Sequence, residues 1–248
     1  MSQVIPIIGR GRGASAAGPA TDPHFANVVL LCGFEGADGS TTFDDESAAD
    51  HSPFTVGGNA QIDTAQFKFG VSSLLLDGTG DYLTLPDHAD WTPGTGDYTW
   101  EAHVRFNAIA AGQNQIVSHY NNTGNQRGWY FSYFQTSGIL LFSWTLDGST
   151  AVNLSASWSP SLATQYHVAT VRDGTTMRLF IDGSEVATAA IGASDSIFDS
   201  TSALHIGAFQ SSGVTGFLNG WLDELRLTKG VARYTANFTP PAAAYPRS

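Results

Sequence analysis

The chain has 248 residues, a length that one large β domain can fill. Hydrophobic residues make up 42% and aromatics 12%, enough for a packed core, whereas only 13% are charged, so Ser, Thr, Asn, Gln and backbone must build the polar surface. With 11 basic against 22 acidic residues the formal charge is −11, which repels a phosphate backbone and excludes nucleic acid as an expected partner.

No apolar run approaches the roughly 20 residues of a membrane-spanning helix, so no membrane insertion is expected. A single cysteine, Cys32, excludes an intramolecular disulfide and a cysteine-rich zinc site, and it reads as a small buried side chain in a strand.

Residues 1–24 read as a flexible N-terminal anchoring arm, followed by one domain over 25–248. Gly9 to Ala20 contain nothing with which to build a core. The arginines follow a short apolar patch, the reverse of the order in a secretory signal, so no export signal is read. Val4, Ile5, Ile7 and Ile8 offer an apolar plug or an added strand for a neighbour, with Pro6 limiting the pairing to one side. Arg10 and Arg12 would meet acidic groups, including those on a second copy, so a homo-oligomer is expected.

From Phe25 onward the period is that of strands. Val28 to Phe34, Ser73 to Asp77, Tyr82 to Leu85, Tyr98 to Phe106, Gln115 to Tyr120, Gly128 to Phe134, Ile139 to Leu146 and Ala151 to Ser157 are short and rich in β-branched or aromatic residues. Tyr166 to Arg172, Met177 to Asp182, Glu185 to Ala189, Leu204 to Phe209 and Phe217 to Thr228 continue the rhythm. Asp147-Gly148, Asp173-Gly174 and Asp182-Gly183 tolerate the positive φ of tight hairpins. About thirteen strands with no helices between them predict an all-β, antiparallel two-sheet jelly-roll sandwich.

Alternation assigns faces. Trp100, Ala102, Val104 and Phe106 share one side of their strand and are expected in the core, with Leu179 and Ile181. Glu101, His103 and Arg105 share the other, either as a functional row or as a solvated face, the commoner outcome for an amphipathic strand.

Leu74-Leu75-Leu76-Asp77-Gly78-Thr79-Gly80-Asp81-Tyr82-Leu83-Thr84-Leu85-Pro86 resembles the strand, Asp-Gly, Asp-Tyr-strand signature of laminin-G-like (concanavalin A-like) jelly rolls. Asp97 to Phe106 resembles the family's next strand, Tyr166 to Arg172 with Met177 to Gly183 its central hairpin, and Phe217 to Leu227 its last long strand. Thr228 to Pro241 and Asp22 to Leu31 further resemble the domains of this kind carried by tailed-bacteriophage virion proteins.

That second resemblance implies a non-enzymatic virion structural protein, a decoration, tail or fibre-associated component, with other virion proteins as partners through the arm. Within it, Arg233, Tyr234 and Phe238 are expected to fold back over the sandwich edge as a clasp, and Pro240-Pro241 to end the final strand. The alternative is a glycan-binding adhesin or receptor-binding protein that attaches to host surface glycans.

Superfamily members that cleave glycans carry Glu, Asp and Glu at alternating strand positions, and this sequence lacks that motif. Asp223 and Glu224 are adjacent and expected on opposite faces, so no catalytic residue is assigned. Many laminin-G-like domains bind one Ca²⁺, and the resemblance places it at Asp81, beside the loop that Asp77 opens, and at Asp223. The same aspartates can instead make only turn hydrogen bonds. Asp44, Asp45 and Glu46 read as a solvated acidic loop.

For a sugar, the amide-rich loop from Tyr120 to Trp129 offers Asn121, Asn122, Asn125 and Arg127 beside Trp129 as a stacking platform. Trp129 can equally be core and the loop merely flexible. Trp91, next to Thr92-Pro93-Gly94, reads as a loop tryptophan available to a ligand, whereas Trp100, Trp144 and Trp221 read as core.

Overall fold

Seventeen strands run through residues 21–248, the part that the computed structural model describes. In chain order they are β1 (Val28–Cys32), β2 (Thr55–Gly57), β3 (Gln61–Asp63), β4 (Ser73–Asp77), β5 (Tyr82–Leu85), β6 (Tyr98–Ala108), β7 (Gln113–Asn121), β8 (Gln126–Phe134) and β9 (Ile139–Thr145). They continue with β10 (Ala151–Ser157), β11 (Gln165–Asp173), β12 (Thr176–Ile181), β13 (Ser184–Ala190), β14 (Leu204–Ile206), β15 (Phe209–Gln210), β16 (Val214–Thr215) and β17 (Asn219–Lys229).

One sheet has the order β13-β12-β11-β6-β17-β4-β3, with β1 also pairing β17. The other has the order β10-β9-β8-β7-β14-β5-β2, with the β15–β16 hairpin added at β7. Pairing is antiparallel except where Gln210 of β15 runs parallel beside Asn121 of β7. The architecture is therefore an all-β, two-sheet antiparallel jelly-roll sandwich, as the alternation and turn residues predict.

The inner faces meet over large aromatics. Trp100 of β6 and Trp129 of β8 pack with ring centroids 4.6 Å apart, and Phe142 and Trp144 of β9 join them. Val104, Phe106 and Leu179 are fully buried and Ile181 packs against this cluster, each contributing up to about 1.5–3 kcal/mol by leaving water. Cys32 is buried and unpaired as expected.

Three strand readings differ from the sequence expectation. Leu204 to Phe209 is two strands, because Gly207 sits at φ +83° and turns the chain between β14 and β15. The three-residue strands β2 and β3 and the two-residue β16 are too short for a period to show. A bulge interrupts the pairing of β17 with β6 after Asp223, where Glu224 takes φ +48°. The bulge breaks strict alternation: Glu224 accepts from Tyr245 N and pairs with Arg247, on the same outer side where Asp223 meets the amides of Lys68 and Phe69. Adjacent positions therefore do not point to opposite faces here.

The outer face of the eight-stranded sheet is not solvated. Glu101 and His103 are 1% and 2% exposed, because residues 231–248 and the loop over 66–70 lie across them. Tyr234 and Phe238 stack with centroids 3.6 Å apart and sit against Phe180 and His167. Phe238 N donates to Gly183 O, and any side chain at Gly183 would collide with the Phe238 carbonyl. The C-terminal segment thus covers a sheet face. Trp221, expected in the core, lies on this outer side, where Arg105 sits 4.7 Å over its ring and its Nε1 donates to Asp63.

The fold reaches back to Asp22, whose carboxylate pairs with Arg226 and Arg233 at 3.3 and 2.6 Å. The proposed anchoring residues Val4, Ile5, Ile7, Ile8, Arg10 and Arg12 lie outside the described residues.

Candidate functional site

On its outward side, the nine-stranded sheet carries an open groove of about 450 Å³. Alternation in β5 sends Leu83 and Leu85 inward and leaves Tyr82 and Thr84 facing out. Thr55 of β2 pairs directly with Thr84, and His205 of β14 lies across from it on the other side. Thr201, Ser202 and Ala203 extend that wall, while Asn121 at the end of β7, Gln210 of β15 and Val214 of β16 close the far end.

Aromatic support comes from neighbours. The Tyr82 ring stacks on Phe217 with centroids 6.3 Å apart, and His205 tilts against it at 5.8 Å. Burial pushes the His205 pKa down, only partly offset by its bond to Ala203 O, so the imidazole is neutral at pH 7. Because that carbonyl can only accept, Nδ1 carries the proton and Nε2 is left as an acceptor. None of the groove's lining side chains is charged. The chemistry offered is one aromatic ring amid hydroxyls, amides and a neutral imidazole. A second depression of about 380 Å³, lined by Phe209, Phe217, Gln113 and Gly78, lies beside it.

Of the expected sugar-binding residues, only Asn121 lines the groove. Trp91 and Trp129 are corrected to core residues: both are fully buried, Trp129 Nε1 donates to Trp91 O at 2.8 Å, and Trp91 Nε1 donates to Pro86 O. A short 3-10 turn over Ala89–Trp91 tucks the Trp91 ring inward. Asn122 and Asn125 are exposed on the β7–β8 connection, and Arg127 Nη1 is occupied by Ser149 O.

The three aspartates of the calcium expectation do not converge. Asp81 is 1% exposed, and its oxygens accept from the amides of Asn59 and Asp77 at 2.7 and 2.9 Å. Asp77 accepts from Thr79 N. Asp223 lies further along β17, beyond Leu222, which pairs with Leu74 while Asn219 pairs with Asp77. Its Oδ2 accepts from two amides, and burial pushes its pKa up to about 7. A different group can hold a metal ion: ligand atoms of His51, His88 and Asp90 all lie within 4.8 Å of one another.

The geometry is that of a two-sheet sandwich with an open, uncharged groove on one outer face. The chain belongs to the concanavalin A-like lectin/glucanases superfamily, through a laminin-G family model that matches residues 77–233. A search of the curated proteins returned no match.

Among solved structures, the binding domain of Paraclostridial Mosquitocidal Protein 1 is similar with a TM-score of 0.64 at 16% identity, over 84% of this chain and 50% of that one. The binding domain of botulinum neurotoxin DC in complex with SialylT has a TM-score of 0.61 at 14% identity, over 84% of this chain and 49% of that one. Domain 4 of AbnA, a GH43 extracellular arabinanase from Geobacillus stearothermophilus, in complex with arabinotriose, has a TM-score of 0.56 at 16% identity, over 83% and 94%. The chain spans about half the length of the toxin binding domains it matches.

These likenesses correct the virion reading. The fold corresponds to that of toxin binding domains and of one domain of an extracellular arabinanase, and the virion, decoration, tail-fibre and particle-partner expectations are withdrawn. The segments that suggested a phage source are packing elements. Residues 228–241 supply the cover over Glu101, and residues 22–31 supply the Asp22 ion pairs and β1, so their pattern reports the closure of the sandwich.

Proposed function

We propose that this chain is a non-catalytic carbohydrate-binding domain that holds a neutral oligosaccharide in the groove between β5, β14 and the β15–β16 hairpin. The observation that carries the proposal is the groove's chemistry. A sugar needs an aromatic face for its C–H side and closely spaced donors and acceptors for its hydroxyls, which Tyr82, Thr55, Thr84, Asn121, His205 and Gln210 provide. The lack of charge in the lining favours a neutral ligand over an anionic one, as does the net charge of −11. The arabinotriose held by the similar arabinanase domain supports the ligand class. Calcium is not part of this proposal, since the oxygens of Asp81 and Oδ2 of Asp223 already accept backbone amides.

Screening the chain on an array of neutral and acidic glycans, alongside Tyr82→Ala, tests the reading. Saturable binding to neutral glycans that Tyr82→Ala weakens about two- to ten-fold is expected, from the roughly 0.5–1.5 kcal/mol of an aromatic stacking contact. Binding to no glycan, or binding that Tyr82→Ala leaves unchanged, would overturn it.

A further inference from the structure

The ladder of β2 and β5 sets Thr55 opposite Thr84 and Gly57 opposite Tyr82. Just beyond the ends of these strands the His51 and His88 rings lie 4.6 Å apart, and Asp90 follows in the 3-10 turn Ala89–Trp91. We propose that His51, His88 and Asp90 form a zinc site, completed by water, that fastens the segment before β2 to the segment after β5.

Each side is held independently of the ion. His51 N donates to Asp45 Oδ2 at 2.9 Å, while Asp45 Oδ1 accepts from the amides of Leu31 and Ser47, and the His51 ring packs 4.5 Å from Trp91. On the other side, Trp91 is fully buried and anchors the turn that carries Asp90. Three ligand side chains therefore converge without a long flexible loop among them, which lowers the ordering cost of binding.

The spacing suits a tetrahedral ion. His51 Nε2 and His88 Nδ1 lie 3.1 and 3.2 Å from Asp90 Oδ2. Ligands at about 2.0–2.1 Å from zinc stand about 3.3 Å apart along a tetrahedral edge, so small side-chain adjustments admit the ion. Two imidazoles and one carboxylate are a zinc-type donor set, whereas calcium calls for six to eight oxygens.

Within the turn itself, His88 Nδ1 faces Asp90 Oδ2 at 3.2 Å. Lys229 Nζ stands 4.0 Å from the other oxygen, Asp90 Oδ1, and is tied to Ala89 O at 2.6 Å, which leaves Oδ2 to the ion. His88, 51% exposed at its side chain, supplies the entry path.

After dialysis against EDTA, the protein is titrated with zinc chloride by calorimetry, its melting temperature is followed, and cobalt(II) is added as a coordination probe. One zinc per chain, a rise in melting temperature and the visible bands of tetrahedral cobalt are expected. His88→Ala removes an exposed ring, so it should melt near the wild type without metal and lose all three signals, and Asp90→Asn should weaken binding strongly. No zinc binding, calcium acting in place of zinc, or binding that persists in His88→Ala at a surface site such as the exposed His24 would overturn the proposal.

Discussion

Glu101 Oε1 accepts two hydrogen bonds from one guanidinium, at 2.9 Å from Arg226 Nε and 2.7 Å from Nη2, on a sheet face that water does not reach. Its other oxygen accepts from His167, Tyr234 and Tyr245, so the carboxylate is satisfied on both sides. Burial alone would raise the Glu101 pKa, but Arg226, His167 and Tyr234 outweigh it and hold the group below the usual carboxylate range. The pair joins β6 to β17 and receives the C-terminal segment through the two tyrosines.

Removing one partner of this pair strands the other. Glu101→Gln and Arg226→Met should each lower unfolding free energy by about 3–5 kcal/mol, as for other buried pairs broken on one side. Because the folded pKa is depressed, this stabilisation is present above the unfolded value near pH 4 and is lost as pH falls through the folded value. Urea unfolding at pH 7 and at pH 3 measures it; equal losses for Glu101→Gln at both pH values would contradict the assignment.

Asp223 acts in the opposite direction. Burial, with Glu224 and Glu35 nearby, pushes its pKa up to about 7 against the two amide bonds that favour the charged form. A carboxyl raised in the folded state binds its proton more tightly than in the unfolded chain, so stability falls as pH rises from about 4 to about 7. Asp223→Asn should remove that slope and stabilise the protein at pH 8 by on the order of 2–4 kcal/mol. Urea midpoints between pH 5 and pH 8 provide the check, and parallel profiles for variant and wild type would contradict it. Opposite it in the ladder, His103 is pushed down to about 3 by burial and by His167 and Lys68, so it stays neutral throughout this window.

Trp91 and Trp129 should behave as core residues. Either one replaced by Ala should cost about 3–5 kcal/mol, in keeping with large-to-small aromatic changes in packed interiors. Thermal denaturation measures the loss. A variant that melts like the wild type yet loses sugar binding would restore the stacking role that the fold denies them.

The alternation of Trp100, Ala102, Val104 and Phe106 made the core side of β6 legible in the sequence, and the Asp-Gly pairs located its hairpins. The sequence suggested that Arg233, Tyr234 and Phe238 fold back over an edge of the sandwich, but not that residues 231–248 cover the face of Glu101 and His103, because period tells only that those two share a face. The groove stayed hidden for a related reason. Its residues come from five separated stretches of chain, brought together by the pairing of β5 with β2 and β14 and of β7 with β14 and β15, and strand spacing does not reveal pairing partners. Trp91, beside Pro93 and Gly94, carried a loop signature, yet one 3-10 turn sufficed to bury it.

Backbone amide chemical-shift mapping during titration with a neutral oligosaccharide such as arabinotriose tests the central claim most directly. The account predicts saturable shifts concentrated at Tyr82, Thr84, Asn121, Ser202, His205 and Gln210, and their loss in Tyr82→Ala with the rest of the spectrum unchanged. Shifts centred elsewhere on the sandwich, or none with any neutral glycan at millimolar concentration, would contradict it.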